Sequence, residues 1–104
     1  GNSFVHETES QVILNGSYNI NFTMDLVLKD TGLFDDLAKK LGTPLEISPK
    51  VVEIFKDGQK KYGSRAWSSM IVKRMEDLNN IDFRANGFPE ELTDNEPEEK
   101  GYEI

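Results

Sequence analysis

Apolar residues recur along this chain at intervals of three and four, the period of a helix viewed from one side. Leu26, Asp30, Leu33, Leu37 and Leu41 fall on one stripe, spaced four, three, four and four apart. The pattern predicts a helix from near Asn21 to Gly42, roughly 30 Å long, with Asp30 standing where an apolar residue belongs. Phe22, Lys29 and Leu33 line up along one side of that stripe, seven and then four residues apart. A carboxylate in a buried seam needs a partner. A lysine at its edge has two readings, a stem that snorkels to solvent or a cation with a task. Thr43-Pro44 blocks continuation, because the residue before a proline avoids the helical region.

Three further helices follow from the same pattern. Ser48 as cap and Pro49 at the first position open one in which Val51, Phe55, Gly58 and Tyr62 make the apolar face, and Gly63 is expected to stop it in a left-handed cap. Gly58 on that face is either a point of close helix approach or a tolerated glycine costing about 1 kcal/mol. A short helix carrying Val12, Ile13 and Leu14 begins at a capping box of Thr8 and Gln11 and ends at Asn15-Gly16. The last runs from about Arg65 to Leu78, capped by Ser64 or Ser68, with Trp67, Ile71, Met75 and Leu78 as its stripe and Trp67 as a core anchor. Asn79-Asn80 breaks it. No segment alternates with period two, so sheet content is expected to be negligible. The fold class is therefore all-α, about four helices over residues 3–79, followed by a tail over 80–104. Residues 89–104 carry seven Glu or Asp against a single Lys, with prolines at 89 and 97, and read as extended or disordered unless they pack on something else.

Composition narrows the function more than the fold. A chain of 104 residues makes one small domain with a modest core. Its net charge of −7 argues against nucleic acid and against an anionic membrane surface as partner. No apolar run approaches the ~20 residues that span a bilayer. No basic-then-apolar leader is visible, and there are no cysteines, so a cytoplasmic protein is the simplest expectation. Gly1-Asn2 reads as a cloning remnant, and the two Asn-x-Ser/Thr matches, at Asn15 and Asn21, as coincidence.

The chain carries few familiar chemical motifs. There is no GxGxxG and no GxxxxGK[ST]. His6 is the only histidine and reads as a solvated terminal residue, which leaves metal sites and Ser-His arrangements little to use. Asp35-Asp36 and Glu98-Glu99 read as solvated charge, and Lys56, Lys60 and Lys61 as the polar side of their helix.

The run from Phe22 to Gly63 nevertheless resembles the carboxy-terminal helical domain of the β-hydroxyacid dehydrogenases, relatives of 3-hydroxyisobutyrate dehydrogenase, tartronate semialdehyde reductase and 6-phosphogluconate dehydrogenase. The resemblance rests on Phe22, Leu26, Lys29-Asp30, Leu33-Phe34 and Ala38, then Gly42-Thr43-Pro44-Leu45, the glycine at Gly63 and the serine at Ser68. It implies that Lys29 contacts a nicotinamide cofactor, NAD or NADP, that Phe22 lines the same cleft, and that Asp30 holds the helix against its neighbours. It also implies a small hydroxyacid substrate, and an apolar patch left where a partner is missing would favour a homo-oligomer.

Three parts of the family pattern have no counterpart here: the Rossmann domain, the GxxGxGxxxK segment whose lysine is the general acid/base, and the long interdomain helix. Trp67 stands where an aspartate commonly precedes the serine. The expectation is a carboxy-terminal piece of such a dehydrogenase, inactive alone, with no catalytic residue of its own and an apolar patch where its partner packed. The competing expectation is a free-standing acidic helical module that binds another protein.

Overall fold

The computed structural model describes residues 1–102; the last two positions of the expected tail lie outside the described residues. The described chain is all-helical: α1 (Phe4–Asn15), α2 (Met24–Lys40), α3 (Ser48–Tyr62), a 3-10 turn (Ser68–Val72) and α4 (Lys73–Asn79). Among the described residues, sheet pairing is limited to one antiparallel bridge, Thr23 with Trp67.

The elements start and stop for identifiable reasons. Ser3 caps α1 by accepting from the His6 amide, so the helix begins a turn before the expected capping box. Thr8 and Gln11 instead bond back to the carbonyls of Phe4 and Glu7. Gly16 ends α1 where expected, in a left-handed conformation at φ 93°. Helix α2 begins at Met24 rather than near Asn21. Asn21 is in the left-handed region at φ 59°, and the next residues are tied sideways: Ser68 N donates to the Phe22 carbonyl at 2.7 Å and Met24 N to that of Ala66 at 2.9 Å. Phe22 is therefore outside the helix, and its expected line with Lys29 and Leu33 is not a helical one.

Ser48 does not cap α3. Its hydroxyl donates to Asp35 Oδ1 at 2.6 Å and staples α3 to α2. Gly63 has φ 100° but ψ 154°, a turn out of the helix rather than the expected left-handed helical cap. The last helix is shorter than expected. Residues 65–67 are spent on the bridge to Thr23, and the chain re-enters helix through a 3-10 turn.

Two packings make the core. Helices α2 and α3 form an antiparallel pair. Gly58 is buried on α3 beside Met24 and Ile71, which resolves its two readings in favour of close approach. Arg74 Nε reaches Asp57 at 2.6 Å and Tyr62 donates to Asp77 at 2.7 Å, joining α3 to α4.

The stripe expected to be buried is not. Leu33 is 61% exposed, Leu37 53% and Leu41 68%, and Asp30 is exposed with them. Helix α3 covers the other side of α2, where Met24 and Ala38 are buried, and nothing in the described chain lies over the leucines. Likewise Met75 and Leu78 on α4 are exposed, while the fully buried position is Glu76. The radius of gyration, 16.5 Å, exceeds the ~13 Å of a closed domain this size. Among the described residues no helix is long and apolar enough to cross a membrane.

Candidate functional site

Helices α2 and α3 flank a groove of about 470 Å³, within the range of small-molecule sites. Lys29 lies on its α2 side with Leu28, Gly32 and Lys39, while α3 supplies Val52, Lys56 and Gln59. Gly32 leaves space: a Cβ built there meets nothing within 4 Å. Leu28 and Val52 give an apolar surface between polar lips.

The charges in this groove are unevenly committed. Asp35 accepts from Ser48, and Asp25 from Thr23. The Thr23 hydroxyl, and after it Arg65 at 3.5 Å, hold the Asp25 carboxyl below the usual carboxylate range. Among the described residues Lys29, Lys39 and Lys56 make no ion pair within 4 Å, and Asp36 is the remaining uncommitted carboxylate. The lining thus sets three lysines against three aspartates, two of the latter bonded to hydroxyls, and leaves the ammonium groups free to donate beside the neutral Gln59 amide. Such a set suits a phosphate, a carboxylate or a carboxamide. It fits one edge of a nicotinamide cofactor. The chain has no glycine-rich loop to cradle a pyrophosphate.

The structure does not put Phe22 on this groove. Its side chain is partly exposed on the segment before α2, where Trp67 and the buried Ser68 hold its backbone. Lys56 and Asp36 are groove residues, although periodicity assigned both to solvated faces. Gln59 lies one turn beyond Lys56 on the same face of α3. The signal for these residues was the register between two helices, which no single stripe reveals. Asp30 does not line the groove. Among the described residues no cluster of His, Asp and Glu is arranged to hold a metal ion.

Comparison with known proteins fits this picture. Over 73 residues the chain is 31% identical to the L-threonate dehydrogenases of Escherichia coli K12 and of Escherichia coli O6:H1 strain CFT073. The matched segment is 70% of this chain and 24% of either relative, so the chain spans about a quarter of their length. No solved structure gives a significant match. Residues 1–75 match the family model described as NAD-binding of NADP-dependent 3-hydroxyisobutyrate dehydrogenase. With most of its length inside that match, the chain belongs to this hydroxyacid-dehydrogenase family of NAD-binding helical regions.

Proposed function

We propose that this chain is the carboxy-terminal helical part of an NAD(P)-dependent hydroxyacid dehydrogenase, completing the cofactor and substrate cleft from one side. The observation that carries the reading is the unpaired Lys29 on the α2–α3 groove, within the span matched by the family. When bound, NAD or NADP supplies or accepts the hydride. This chain's share is charge and position: Lys29, helped by Lys56 and the Gln59 amide, fixes an anionic or carboxamide edge. Phe22 would border that cleft from the preceding segment once the rest of the parent is in place.

The Rossmann domain of the parent and a small hydroxyacid are the partners this reading requires. The leucine face of α2 is an apolar surface for the parent's remaining mass or for a second subunit. Family membership supports this reading over that of an independent acidic interaction module. The chain alone is expected to be inactive, since its sequence has neither a phosphate-cradling glycine loop nor the family's acid/base lysine segment.

Nicotinamide mononucleotide, titrated into the isotopically labelled chain and followed by NMR, tests the site. Shifts should concentrate at Gly32, Lys56 and Gln59, and Lys29→Gln should weaken them by about tenfold, the loss of one charged hydrogen bond. Shifts centred elsewhere, or unaltered in Lys29→Gln, would remove the basis of the assignment.

A further inference from the structure

Residues 81–90 lie beyond the span shared with the family, have no regular structure, and are nonetheless fastened to the domain at several points. Ala85 N donates to the Leu14 carbonyl at 3.0 Å, and the side chains of Asn15 and Ser17 donate to the carbonyls of Phe88 and Glu90 at 3.0 and 2.6 Å. Between these bonds Arg84 passes over Gly16, where an added Cβ would meet its Nε at 2.5 Å. Its guanidinium lies 5.2 Å from the centroid of the Tyr18 ring. There Nη2 donates to the Tyr18 hydroxyl at 2.7 Å and Nη1 to Glu76 Oε2 at 3.2 Å. Tyr18 in turn donates to Glu76 Oε1 at 2.5 Å.

The stakes of this triad are set by burial. The Glu76 side chain is 1% exposed. Burial alone would push its carboxyl up; the bond from Tyr18 and the charge of Arg84 outweigh that and hold it below the ordinary value. A buried carboxylate stripped of its cation is among the more destabilising defects a fold can carry. Lysine is a poor substitute for this arginine, because the site uses a fork that reaches two acceptors and a plane that lies on an aromatic ring.

The triad also reaches the loop ahead of α2. Tyr18 sits at φ 55°, a left-handed conformation that a bulky residue keeps only when its surroundings enforce it. Its carbonyl accepts from the fully buried Ser69 hydroxyl at 2.5 Å, and the neighbouring Ser68 amide bonds the Phe22 carbonyl. We propose that residues 81–90 are a strap, latched by Arg84, that fixes the Tyr18–Thr23 loop, with Arg84 as the positioning residue for Phe22. The inference stands on these contacts and is independent of the nicotinamide reading.

Amide hydrogen exchange on the whole chain tests it, with Ala85 reporting the strap, Ser68 the Phe22 contact, and Gln59 on α3 the rest of the fold. Arg84→Lys should speed exchange at Ala85 and Ser68 by about tenfold or more while leaving Gln59 within about threefold, the signature of local rather than global opening. If Arg84→Lys does not fold, the paired variant Arg84→Met with Glu76→Leu removes the buried carboxylate and its cation together, and the same three amides are read in it. Release at Ala85 with wild-type protection at Ser68 would show that the strap does not act on the loop. Equal acceleration at all three amides would show a general loss of stability. Either result overturns the proposal, as does wild-type exchange throughout.

Discussion

Two glycines inside helices should respond differently to the same substitution. Gly32 in α2 faces open space, whereas a Cβ on Gly58 in α3 would stand 2.7 Å from Ile71 Cδ1 and 3.3 Å from Met24 Sδ and Cε. Alanine gains about 1 kcal/mol of helix propensity over glycine at either position. At Gly32 nothing opposes that gain. At Gly58 the methyl displaces the end of Ile71 and presses on Met24, which is fully buried and has no solvent to swing into; overpacking of this kind costs about 1–3 kcal/mol. Gly32→Ala should therefore stabilise, and Gly58→Ala should lie about 1–3 kcal/mol below it. At ~4–8 °C per kcal/mol for a domain of this size, the two melting temperatures should separate by about 4 °C or more. Ile71→Val, which removes the clashing Cδ1, should recover part of the loss only in the Gly58→Ala background, a coupling that a double-mutant cycle resolves. Thermal and urea unfolding followed by circular dichroism measures all of these. Equal stabilisation by the two alanines would mean that α3 does not approach Met24 and Ile71 as described.

Charge placed on the exposed stripe should be tolerated: Leu33→Lys should change the stability of the chain by no more than about 0.5 kcal/mol, whereas Met24→Ala should lose about 2–5 kcal/mol. In sedimentation at high concentration the parent chain should self-associate through its leucines and Leu33→Lys should be monomeric; a strictly monomeric parent would refute that. In alkali, burial and then the bond to Asp77 push the Tyr62 phenol up to about 12, so the folded state keeps a proton that the unfolded chain loses near pH 10. That contribution is intact below pH about 10 and fades as pH rises through about 12. Tyr62→Phe should lose stability at neutral pH and show a shallower decline in this window, and an unchanged slope in alkaline urea titrations would count against the Tyr62–Asp77 bond.

Much of the fold was legible because helix signals are local. The stop at Gly16, the proline at the start of α3 and the break at Asn79-Asn80 each follow from one residue's backbone preference. What period alone does not decide is which side of a helix finds a partner. Helix α2 has two apolar sides, and the one with more leucines is the one the described chain leaves open. The start of α2 was misplaced for a related reason. Asn21-Phe22-Thr23 continues the stripe, yet a bridge to Trp67, forty-four residues away in sequence, takes those residues out of the helix. On the site side, Lys29 was found through a family resemblance, whereas Lys56, Gln59 and Asp36 emerge only once α3 is laid on α2. Tyr18, Glu76 and Arg84 were invisible: a glutamate beside Asp77 reads as the solvated face of α4, and an arginine in a polar tail reads as coil.

The same residues explain how so open a chain holds together. Its largest fully buried side chains are Met24, Glu76, Val12 and Ser69, so two of the four are polar and one is formally charged. Meanwhile leucines at 26, 33, 37 and 41 face outward. A domain that buries a carboxylate and exposes its leucines has divided its surfaces by purpose. The apolar area of α2 is left uncovered by the described chain. The internal joints rely on directional bonds instead: Arg84 to Glu76, Arg74 to Asp57, Tyr62 to Asp77, and Ser48 to Asp35. Such bonds contribute little each in net energy, yet they are costly to leave half made. They fix relative positions of elements more sharply than they raise stability. For a groove built from two helices, fixed position is the property these joints supply, and it follows that mutations at them should disturb geometry at the groove before they unfold the chain.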